Sequence, residues 1–382
     1  MKKRILITGG SGFIGSNLSL KLLDKGYDVT VIDNLSPQIH GDNPIETSTL
    51  YKSILNKVNF HLGCVTDPVL MEKLIINSDC IIHLAAETGT GQSMYEIRKY
   101  NEVNNSGTSI MLDILANKKN PVKKVIVASS RAIYGEGKYQ DKSGNIVFPN
   151  FRKLPELKKG LFDLTDDLDN KLILLPTSED SKIDPISFYG ITKLFQEQSI
   201  LSVCNSLGID SIAFRYQNVY GPGQSLNNPY TGILAVFSNL ILQNKNINIF
   251  EDGLESRDFV YIDDVVDATI LGLENSEIKN EIFNVGTGIP TSVKQIADLL
   301  IKLYGVPTDV KISGDFRLGD IRHNYADLSK ISKLLNFNPK INIEDGLSNF
   351  VNWVKNQPVN ANNNYEKSLL EMKEKNLLYD KN

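Results

Sequence analysis

The 382-residue sequence has only three cysteines, little net charge and no long apolar run. Cys64, Cys80 and Cys204 are widely spaced, which excludes a C-x-x-C motif. The apolar surroundings of Cys80 and Cys204 indicate buried, reduced thiols of a cytoplasmic protein. The formal net charge of −4 excludes the polybasic surfaces that bind nucleic acids or membranes, so neither is a predicted partner.

No segment is predicted to cross a membrane or to direct secretion. Met1-Lys2-Lys3-Arg4 resembles the basic start of a signal peptide, but the glycines of residues 9–12 interrupt the apolar stretch behind it. No apolar run reaches the ~20 residues of a membrane span. Internal repeats are absent and no metal site is predicted, so we expect one large or two moderate globular cores.

The most complete local pattern is at the amino terminus. The short apolar run Arg4–Thr8 reads as a strand, the glycines Gly9, Gly12 and Gly15 follow at once, and a helical pattern leads to a second strand, Asp28–Asp33. Glycines allow the turn to close and the backbone to approach a pyrophosphate, and the helix N-terminus offers free N–H donors to phosphates. The spacing differs from G-x-G-x-x-G, but the context predicts a dinucleotide site.

Asp33, at the end of the second strand, predicts which dinucleotide binds. Its carboxylate can accept hydrogen bonds from the adenosine ribose hydroxyls, and its charge would repel a 2′-phosphate. The following residues, Asn34-Leu35-Ser36, supply no basic group to bind that phosphate. NAD is therefore predicted rather than NADP.

Strands and helices alternate through the first 215 residues, which predicts an α/β fold with a doubly wound parallel sheet. The further predicted elements are the strands Val58–Leu62, Cys80–Leu84, Lys124–Ser129 and Ser211–Arg215 and the helices Tyr100–Asn117 and Ser187–Leu207. The chain then becomes rich in loops, with a helix near Gly232–Gln243, which predicts a smaller mixed α/β lobe over the carboxyl ends of the strands.

These patterns divide the chain into three parts. Residues 1–217, joined by about 259–285, are predicted to form the nucleotide-binding domain, and residues 218–258 and 286–357 the substrate lobe. Pro358–Asn364 is a predicted linker, and Tyr365–Leu378 a polar amphipathic helix on the surface or against a partner subunit. The long irregular segment Gly135–Lys182 is interpreted as a surface insertion, with a lid or an oligomer contact as the alternative.

Tyr189 and Lys193, four residues apart on a predicted helix, form the candidate catalytic pair. Residues at this spacing lie on one helix face. A lysine beside a phenol favours the phenolate, which makes a general base from a group whose free pKa is about 10. The alternative is a half-buried tyrosine beside a solvated lysine; the nucleotide loop in the same chain favours the catalytic interpretation.

Together these residues resemble the extended short-chain dehydrogenase/reductase family, which includes nucleotide-sugar epimerases and dehydratases. The resemblance covers about residues 3–355. It depends on the segments TGGSGFIG at 8–15, HLAA at 83–86, SSRAIYG at 129–135, YGITK at 189–193, RYQNVYGP at 215–222 and RDFVY at 257–261.

The resemblance implies an NAD-dependent enzyme, expected to be a homodimer, that acts on a nucleotide-diphosphate sugar. Tyr189 would be the general base, Lys193 would bind the nicotinamide ribose and lower the tyrosine pKa, and Ser130 would hydrogen-bond the reacting hydroxyl. The implied cofactor-binding residues are Gly9, Gly12, Phe13, Ile14, Gly15, Asp33, Asn34, Ser36, Cys64, Val65, Leu84, Ala85, Ala86, Thr88, Asn104, Tyr189, Lys193 and Tyr216.

For the substrate, the resemblance implies three groups of contacts. Asn218, Arg257 and Arg317 would hold the diphosphate, since guanidinium forks match phosphate oxygens in pairs, although an ion pair is the alternative for either arginine. Asp320 would bind the nucleotide ribose, and residues 248–250 would line the base pocket. The implied substrate-binding residues are Thr90, Ser93, Ser130, Arg131, Asn218, Asn248, Phe250, Arg257, Arg317 and Asp320.

Two positions depart from the pattern of relatives. Many relatives carry a Gly-Asp pair that contacts adenine after the third strand, where this chain has Gly63-Cys64. Some sugar 4-epimerases carry a lysine near the cofactor phosphates, where this chain has Thr88. The NAD prediction does not depend on either residue.

The reaction is predicted from the two residues that follow Ser130. Dehydratases and decarboxylases of the family place acids there, whereas this chain has Arg131-Ala132. Elimination needs a positioned acid or base for the second proton, so redox epimerisation at one carbon is favoured. Segments 87–97 and 224–232 are most similar to the dTDP-L-rhamnose 4-epimerases, which predicts inversion at C4 of a dTDP-(6-deoxy)hexose.

Several alternatives remain open. CDP-sugar 2-epimerases and UDP-sugar 4-epimerases use the same machinery, and a 4,6-dehydratase is less favoured. A net dehydrogenase would release a keto sugar with stoichiometric NADH. A non-catalytic NAD-binding regulator on the same fold is a different class of function, against which the intact Ser130, Tyr189 and Lys193 argue.

Overall fold

The computed structural model describes residues 2–226, 228, 232–357 and 364–381. Its centre is a seven-stranded sheet. The strands, numbered here in chain order, are β1 Arg4–Thr8, β2 Asp28–Asp33, β3 Asn59–Leu62, β4 Cys80–His83, β5 Lys124–Ser130, β6 Asp210–Tyr216 and β7 Glu281–Val285.

All neighbouring strands of this sheet are parallel, in the spatial order β3-β2-β1-β4-β5-β6-β7. The chain runs outward from β1 to β3, then crosses back to place β4 on the other side of β1. This reversal opens a crevice at the carboxyl ends of β1 and β4, where ligands bind in such sheets. The predicted doubly wound parallel sheet is thereby confirmed.

Five helices cover the two faces of the sheet: α1 Phe13–Asp24, α2 Pro68–Ile75, α3 Gly107–Asn117, α4 Phe188–Leu207 and α5 Ile262–Glu274. Side chains along a strand alternate between faces. In β1, Ile5 and Ile7 join the apolar core that contains α1 and α5, and Leu6 joins the core that contains α2, α3 and α4.

The remaining elements are short and lie mostly outside the central sheet. The helices, including a π-helical turn at Asn101–Ser106 and a 3-10 turn at Arg131–Ile133, are Pro37–His40, Pro44–Thr47, Thr49–Ile54, Thr90–Ser93, Ile97–Tyr100, Leu154–Lys158, Ile233–Leu242, Val293–Tyr304, Ser329–Leu335, Ile343–Lys355 and Asn364–Glu374. The strands are Tyr139–Gln140, Ile146–Val147, Ile173–Leu174, Asn218–Tyr220, Ile247–Ile249, Ser256–Tyr261, Pro290–Ser292, Val310–Ile312, Phe316–Arg317, His323–Asn324 and Leu378–Tyr379.

The insertion, residues 135–182, is more than the predicted surface segment. It forms a three-stranded antiparallel sheet, and its Arg152 is buried. Arg152 lies 3.4 Å from the Glu136 carboxylate and 2.8 Å from the Glu251 carboxylate, and it donates to the carbonyl of Asp320 at 2.8 Å. The insertion therefore helps to hold the loop that carries Asp320.

The carboxyl-terminal segment ends as a strand rather than as the long helix predicted for residues 365–378. The helix stops at Glu374, and Leu378–Tyr379 pairs antiparallel with Phe316–Arg317. The Tyr379 ring stacks on Phe316 with a centroid distance of 5.4 Å. The predicted linker at 358–363 lies outside the described residues, as do positions 227 and 229–231 of the segment 224–232.

The proposed domain boundaries remain a prediction, although β7 and α5 join the central sheet as expected for residues 259–285. Within the described ranges, every helix is too short or too polar to span a bilayer.

Candidate active site

A cavity of about 460 Å³ opens at the carboxyl ends of β1 and β4. It brings together most of the residues singled out in the sequence. Those that line it are Gly9, Gly12, Phe13, Ile14, Gly15, Asp33, Asn34, Ser36, Cys64, Val65, Leu84, Ala85, Ala86, Thr88, Thr90, Ser130, Arg131, Tyr189, Lys193, Tyr216 and Asn218.

The glycine loop is a close-packed turn between β1 and α1. Gly9 has a φ of +69°, and a Cβ there would lie 2.8 Å from the backbone nitrogen of Ala85. A Cβ on Gly15 would collide with the carbonyl oxygen of Gly9. Larger residues therefore cannot replace these glycines without moving the turn, and the first turn of α1 begins in the cavity wall at Phe13.

Asp33 is held at the cavity edge by backbone donors. One carboxylate oxygen accepts from the Ser11 N–H at 2.9 Å, and the other accepts from the Leu35 N–H at 2.9 Å. The Nε2 of His40 lies 3.8 Å away, and burial lowers the His40 pKa, which favours the neutral ring. The nearest basic side chain is thus poorly suited to a 2′-phosphate, and the residues present fit NAD.

Tyr189 lies in the first turn of α4. Ser187 caps this helix, because its Oγ accepts the Gly190 N–H at 3.1 Å. The Tyr189 N–H donates to the Oγ of Ser93 at 2.9 Å. Ser130, the last residue of β5, is hydrogen-bonded to the Tyr189 phenol. The end of β5 and the start of α4 therefore converge on one hydroxyl pair.

Lys193 is placed differently from the prediction. Its Nζ donates to the Ala128 carbonyl at 2.8 Å and to Gln196 Oε1 at 2.9 Å, and burial lowers its pKa to about 7. Burial also raises the Tyr189 pKa; the groups that oppose this are Ser130, by its hydrogen bond, and Arg131, by its charge. The expectation that Lys193 lowers the tyrosine pKa stays a prediction, because in this structure its Nζ bonds Ala128 and Gln196.

Arg131 projects into the cavity beside this pair. Its Nε donates to Asn218 Oδ1 at 2.7 Å, which links the turn after β5 to the strand Asn218–Tyr220. Burial and then Arg257 lower the Arg131 pKa, and Asp320 and Tyr189 raise it. The arginine therefore stands between the catalytic pair and the charged residues of the second lobe.

Arg257 and Asp320 lie outside the cavity wall. Arg257 donates to Asp320 Oδ1 at 2.9 Å and to the carbonyls of Ser256, Arg322 and Ile321, so four of its five N–H donors are in use. The predicted substrate role of Arg257 would need this network to open. What the structure itself contains is an ion pair between the buried Arg257 and the partly exposed Asp320.

The base pocket predicted at residues 248–250 stays a prediction, although one pair of the predicted residues is in contact. The Arg317 guanidinium lies 4.9 Å from the centre of the Phe250 ring. The phenol of Tyr365, on the carboxyl-terminal helix, is hydrogen-bonded to Arg317. The structure thus brings Phe250 and Arg317 together, away from the cavity wall.

Two other predicted ligands serve the framework. Asn104 is fully buried and bonds both the N–H and the carbonyl of Glu87 and the Oγ1 of Thr192. Ser93 is also fully buried, and its Oγ serves Tyr189 as described. Neither residue lines the cavity, because each uses its polar side-chain group to position a neighbouring segment.

Several cavity residues were not anticipated. Gln38, His40, Gln217, Gln224 and Phe259 line the wall. Gln217 follows Tyr216 within a segment already recognised, so its position beside Asn218 was a usable signal. Gln38 and His40 lie in a short helix after β2 with no distinctive pattern.

Comparison with known proteins identifies related enzymes. The sequence matches the NAD dependent epimerase/dehydratase family over residues 5–151 and 169–286. It is 38% identical to a dTDP-L-rhamnose 4-epimerase of Burkholderia thailandensis, over 92% of this chain and 95% of that protein. It is 31% identical to a putative UDP-glucose 4-epimerase of Methanocaldococcus jannaschii, over 92% and 98% of the two chains.

Solved structures share the fold. The UDP-glucose 4-epimerase of Thermotoga maritima with UDP-glucose has a TM-score of 0.74 at 31% identity, covering 92% of this chain and 98% of that chain. The UDP-glucuronic acid 4-epimerase of Bacillus cereus, in complex with UDP-glucuronic acid and NAD, has a TM-score of 0.74 at 27% identity, covering 92% and 99%. The chain belongs to the NAD dependent epimerase/dehydratase family.

Proposed function

We propose that the protein is an NAD-dependent nucleotide-sugar epimerase that inverts C4 of a dTDP-(6-deoxy)hexose. The observation that carries this proposal is the Ser130–Tyr189 hydroxyl pair in the cavity wall, with Lys193 on the same helix and no carboxylate at positions 131 and 132. The similarity to a dTDP-L-rhamnose 4-epimerase supports the choice of nucleotide and carbon.

The residues of this chain suggest a division of labour. Tyr189 accepts the proton of the substrate hydroxyl, and Ser130 orients that hydroxyl by hydrogen bonding. Lys193 is placed below the pair by Ala128 and Gln196, where it can hold a ribose hydroxyl. When bound, NAD supplies the hydride acceptor and donor. The cavity must allow the keto sugar to present its other face before Tyr189 returns the proton.

A dehydratase is the second candidate. The carboxylates that line the cavity are Asp33 and Glu87. Asp33 accepts backbone N–H groups at the glycine loop, and Glu87 lies 3.1 Å from Lys99. Glu87 is the residue that elimination would have to use, and its pairing with Lys99 disfavours that use.

A homodimer is part of the proposal. Ile191 and Phe195, four residues apart on α4, are 47% and 36% exposed, so they form an apolar strip on the outer face of this helix. We expect this strip to be covered by a second copy of the chain. Ile191→Glu should shift the mass measured by light scattering from dimer to monomer, and a parent protein that is already monomeric would contradict the assignment.

The cytoplasm is the proposed location. The three cysteines are free thiols, and Cys80 and Cys204 are buried. Reduced cysteines are typical of cytoplasmic proteins.

The activity is tested by incubating the purified protein with dTDP-L-rhamnose, UDP-glucose and a CDP-sugar in separate reactions. NMR of the products should show a C4 epimer, formed fastest from the dTDP sugar, without net NADH. Stoichiometric NADH would indicate a dehydrogenase, and loss of water a dehydratase. If the protein binds NAD but converts none of these sugars, the result would favour the alternative of a non-catalytic NAD-binding regulator.

A further inference from the structure

Arg131 lines the cavity, and among the described residues no carboxylate oxygen lies within 4.0 Å of its guanidinium, although Asp320 is near enough to raise its pKa. Six of the eight arginines in the sequence lie within 4.0 Å of a carboxylate oxygen. These six are Arg4, Arg98, Arg152, Arg215, Arg257 and Arg322. Within the described ranges, Arg131 and Arg317 have no such partner, and Arg317 instead covers the Phe250 ring and contacts Tyr365.

The hydrogen bonds of Arg131 leave its outer end free. Its Nε donates to Asn218, and neither terminal NH₂ group donates to any residue that the structure describes. A guanidinium presents its NH₂ groups as a planar fork that matches the oxygens of phosphates and carboxylates. Keeping a largely buried cation without an anion is costly, so the free fork indicates a ligand that brings the anion.

The position of Arg131 fixes where that anion lies. Arg131 follows Ser130 directly and lines the same cavity as Tyr189. The Asn218 contact holds its side chain toward the second lobe rather than toward the glycine loop. An anion bound there belongs to the substrate, because the cofactor pyrophosphate is expected at the N-terminus of α1, whose first residue is Phe13.

We propose that Arg131 binds an oxyanion of the substrate beside Tyr189, through the two NH₂ groups that no other residue uses. The inference rests on the proposed function for the identity of the substrate as a nucleotide sugar. The oxyanion has two sources, a phosphate of the nucleotide or a carboxylate carried on the sugar. Arg257, with four donors already in use, is left as the partner that fixes Asp320.

The test is a set of calorimetric titrations on the NAD-bound protein with dTDP, UDP-glucose and UDP-glucuronic acid. The variants are Arg131→Met and Arg131→Lys. Arg98→Met is the control, because it removes the same charge from a side chain that is 96% exposed. A phosphate contact predicts that Arg131→Met weakens dTDP binding about tenfold. A carboxylate contact predicts that dTDP binding is unchanged and that the preference for UDP-glucuronic acid over UDP-glucose falls about tenfold.

Arg131→Lys should recover part of either loss, because an ammonium keeps the charge but not the fork. Changes smaller than threefold relative to Arg98→Met, for every probe, would overturn the proposal, as would absence of binding of all three probes to the parent. If the Arg131→Met variant no longer retains NAD, the titrations are read on Arg131→Lys instead. A change in probe binding smaller than threefold relative to Arg98→Met would then overturn the proposal. Since no titration needs turnover, a protein that binds through Arg131 yet epimerises nothing would reject the proposed function alone.

Discussion

Tyr189 owes its position to hydrogen bonds with two serines. Ser93 accepts its N–H, and Ser130 bonds its phenol, while burial raises its pKa. A buried phenol is a weak base unless a neighbouring cation favours the phenolate. Arg131 supplies such a charge in this structure, so the base should depend on residues from both β5 and α4.

The Tyr189→Phe variant tests the base directly. The fold should be unchanged and NAD should be retained, because phenylalanine keeps the ring that packs edge-on against Tyr100 and loses only the hydroxyl. Turnover should fall by at least ~10²-fold, the scale of a missing general base. Initial rates of epimer formation measure this loss of turnover. Near-normal rates would contradict the assignment of Tyr189 as the general base.

Asp33→Ala should weaken NAD binding about tenfold and narrow the preference for NAD over NADP, because a charge-assisted hydrogen bond is lost. The Ser11 and Leu35 N–H groups also lose their acceptor. Asp33→Asn is the matched control, since it keeps one acceptor oxygen and removes the charge. Fluorescence titration with both nucleotides is the measurement; equal NAD affinity in the Ala variant would show that the ribose contact is absent.

Lys193 predicts a pH dependence of stability in the NAD-free protein. Burial lowers its pKa from 10.5 to about 7, so the unfolded chain binds the proton more tightly than the folded one. The free energy of unfolding should therefore rise with pH between about 7 and 10.5 because of this group. The Lys193→Met variant has no titrating group at this position, so its free energy of unfolding should lack this rise with pH.

Urea unfolding at pH 7 and pH 9.5 measures this effect. The parent should gain at least ~1 kcal/mol relative to Lys193→Met at the higher pH. The hydrogen bonds lost in the variant affect both pH values alike and so cancel in the comparison. A stability difference that is the same at both pH values would contradict the lowered pKa.

Single-residue roles were predicted unevenly from the sequence. Asp33, Ser130 and Tyr189 lie in short motifs whose backbone context was visible, and all three line the cavity. The contacts of Lys193 with Ala128 and Gln196 were not predicted, because these residues come from a strand and from the next turn of the same helix. Which neighbour a flexible lysine reaches is a tertiary outcome that spacing alone does not determine.

At the level of elements, the carboxyl-terminal strand and the insertion form one support for the second lobe. Phe316 packs with Leu157 and Phe162 of the insertion and is stacked by Tyr379. The helix before this strand reaches the first domain, where the Tyr95 hydroxyl donates to Glu371 at 3.0 Å. The segment therefore connects the two halves of the site through side-chain contacts.

Tyr379→Ala should destabilise the protein by about 1 kcal/mol, the scale of an aromatic pair, and should raise the KM for the nucleotide sugar more than it lowers kcat. The reason is that Tyr379 pairs with the strand carrying Arg317. Leu370→Ala is the control on the preceding helix, because Leu370 is 62% exposed. Thermal unfolding and steady-state kinetics measure both effects, and a Tyr379 variant indistinguishable from the control would argue against this support.

The helices and strands with regular apolar patterns were predicted most accurately from the sequence. The strands of the sheet and α4 follow apolar runs and caps, so their bounds match within one or two residues, but β3, predicted as a buried strand at residues 58–62, is a partly exposed edge strand. The insertion was misjudged because its anchor, Arg152, binds Glu251, which is 99 residues away in sequence. No local pattern reports such a contact.

Taken as a whole, the molecule places the cavity at the carboxyl ends of β1 and β4, and the ion pair of Arg257 and Asp320 lies outside the cavity wall. The hydroxyl pair, Lys193 and Arg131 all line this cavity. This arrangement suits oxidation and reduction at a single carbon, with the proton handled by Tyr189. Of the described residues that line the cavity, Asp33 and Glu87 carry carboxylates, and Glu87 is paired with Lys99.

The central claim is that epimerisation proceeds by transient oxidation, and incubation with dTDP-L-rhamnose in D₂O tests it most directly. The hydrogen on the inverted carbon leaves as a hydride and returns within the closed site, so it never exchanges with solvent. NMR and mass spectrometry should therefore show the C4 epimer without deuterium on any ring carbon. A one-dalton gain on a ring carbon, or loss of water from the sugar, would contradict the redox mechanism and favour a dehydratase or a proton-transfer epimerase.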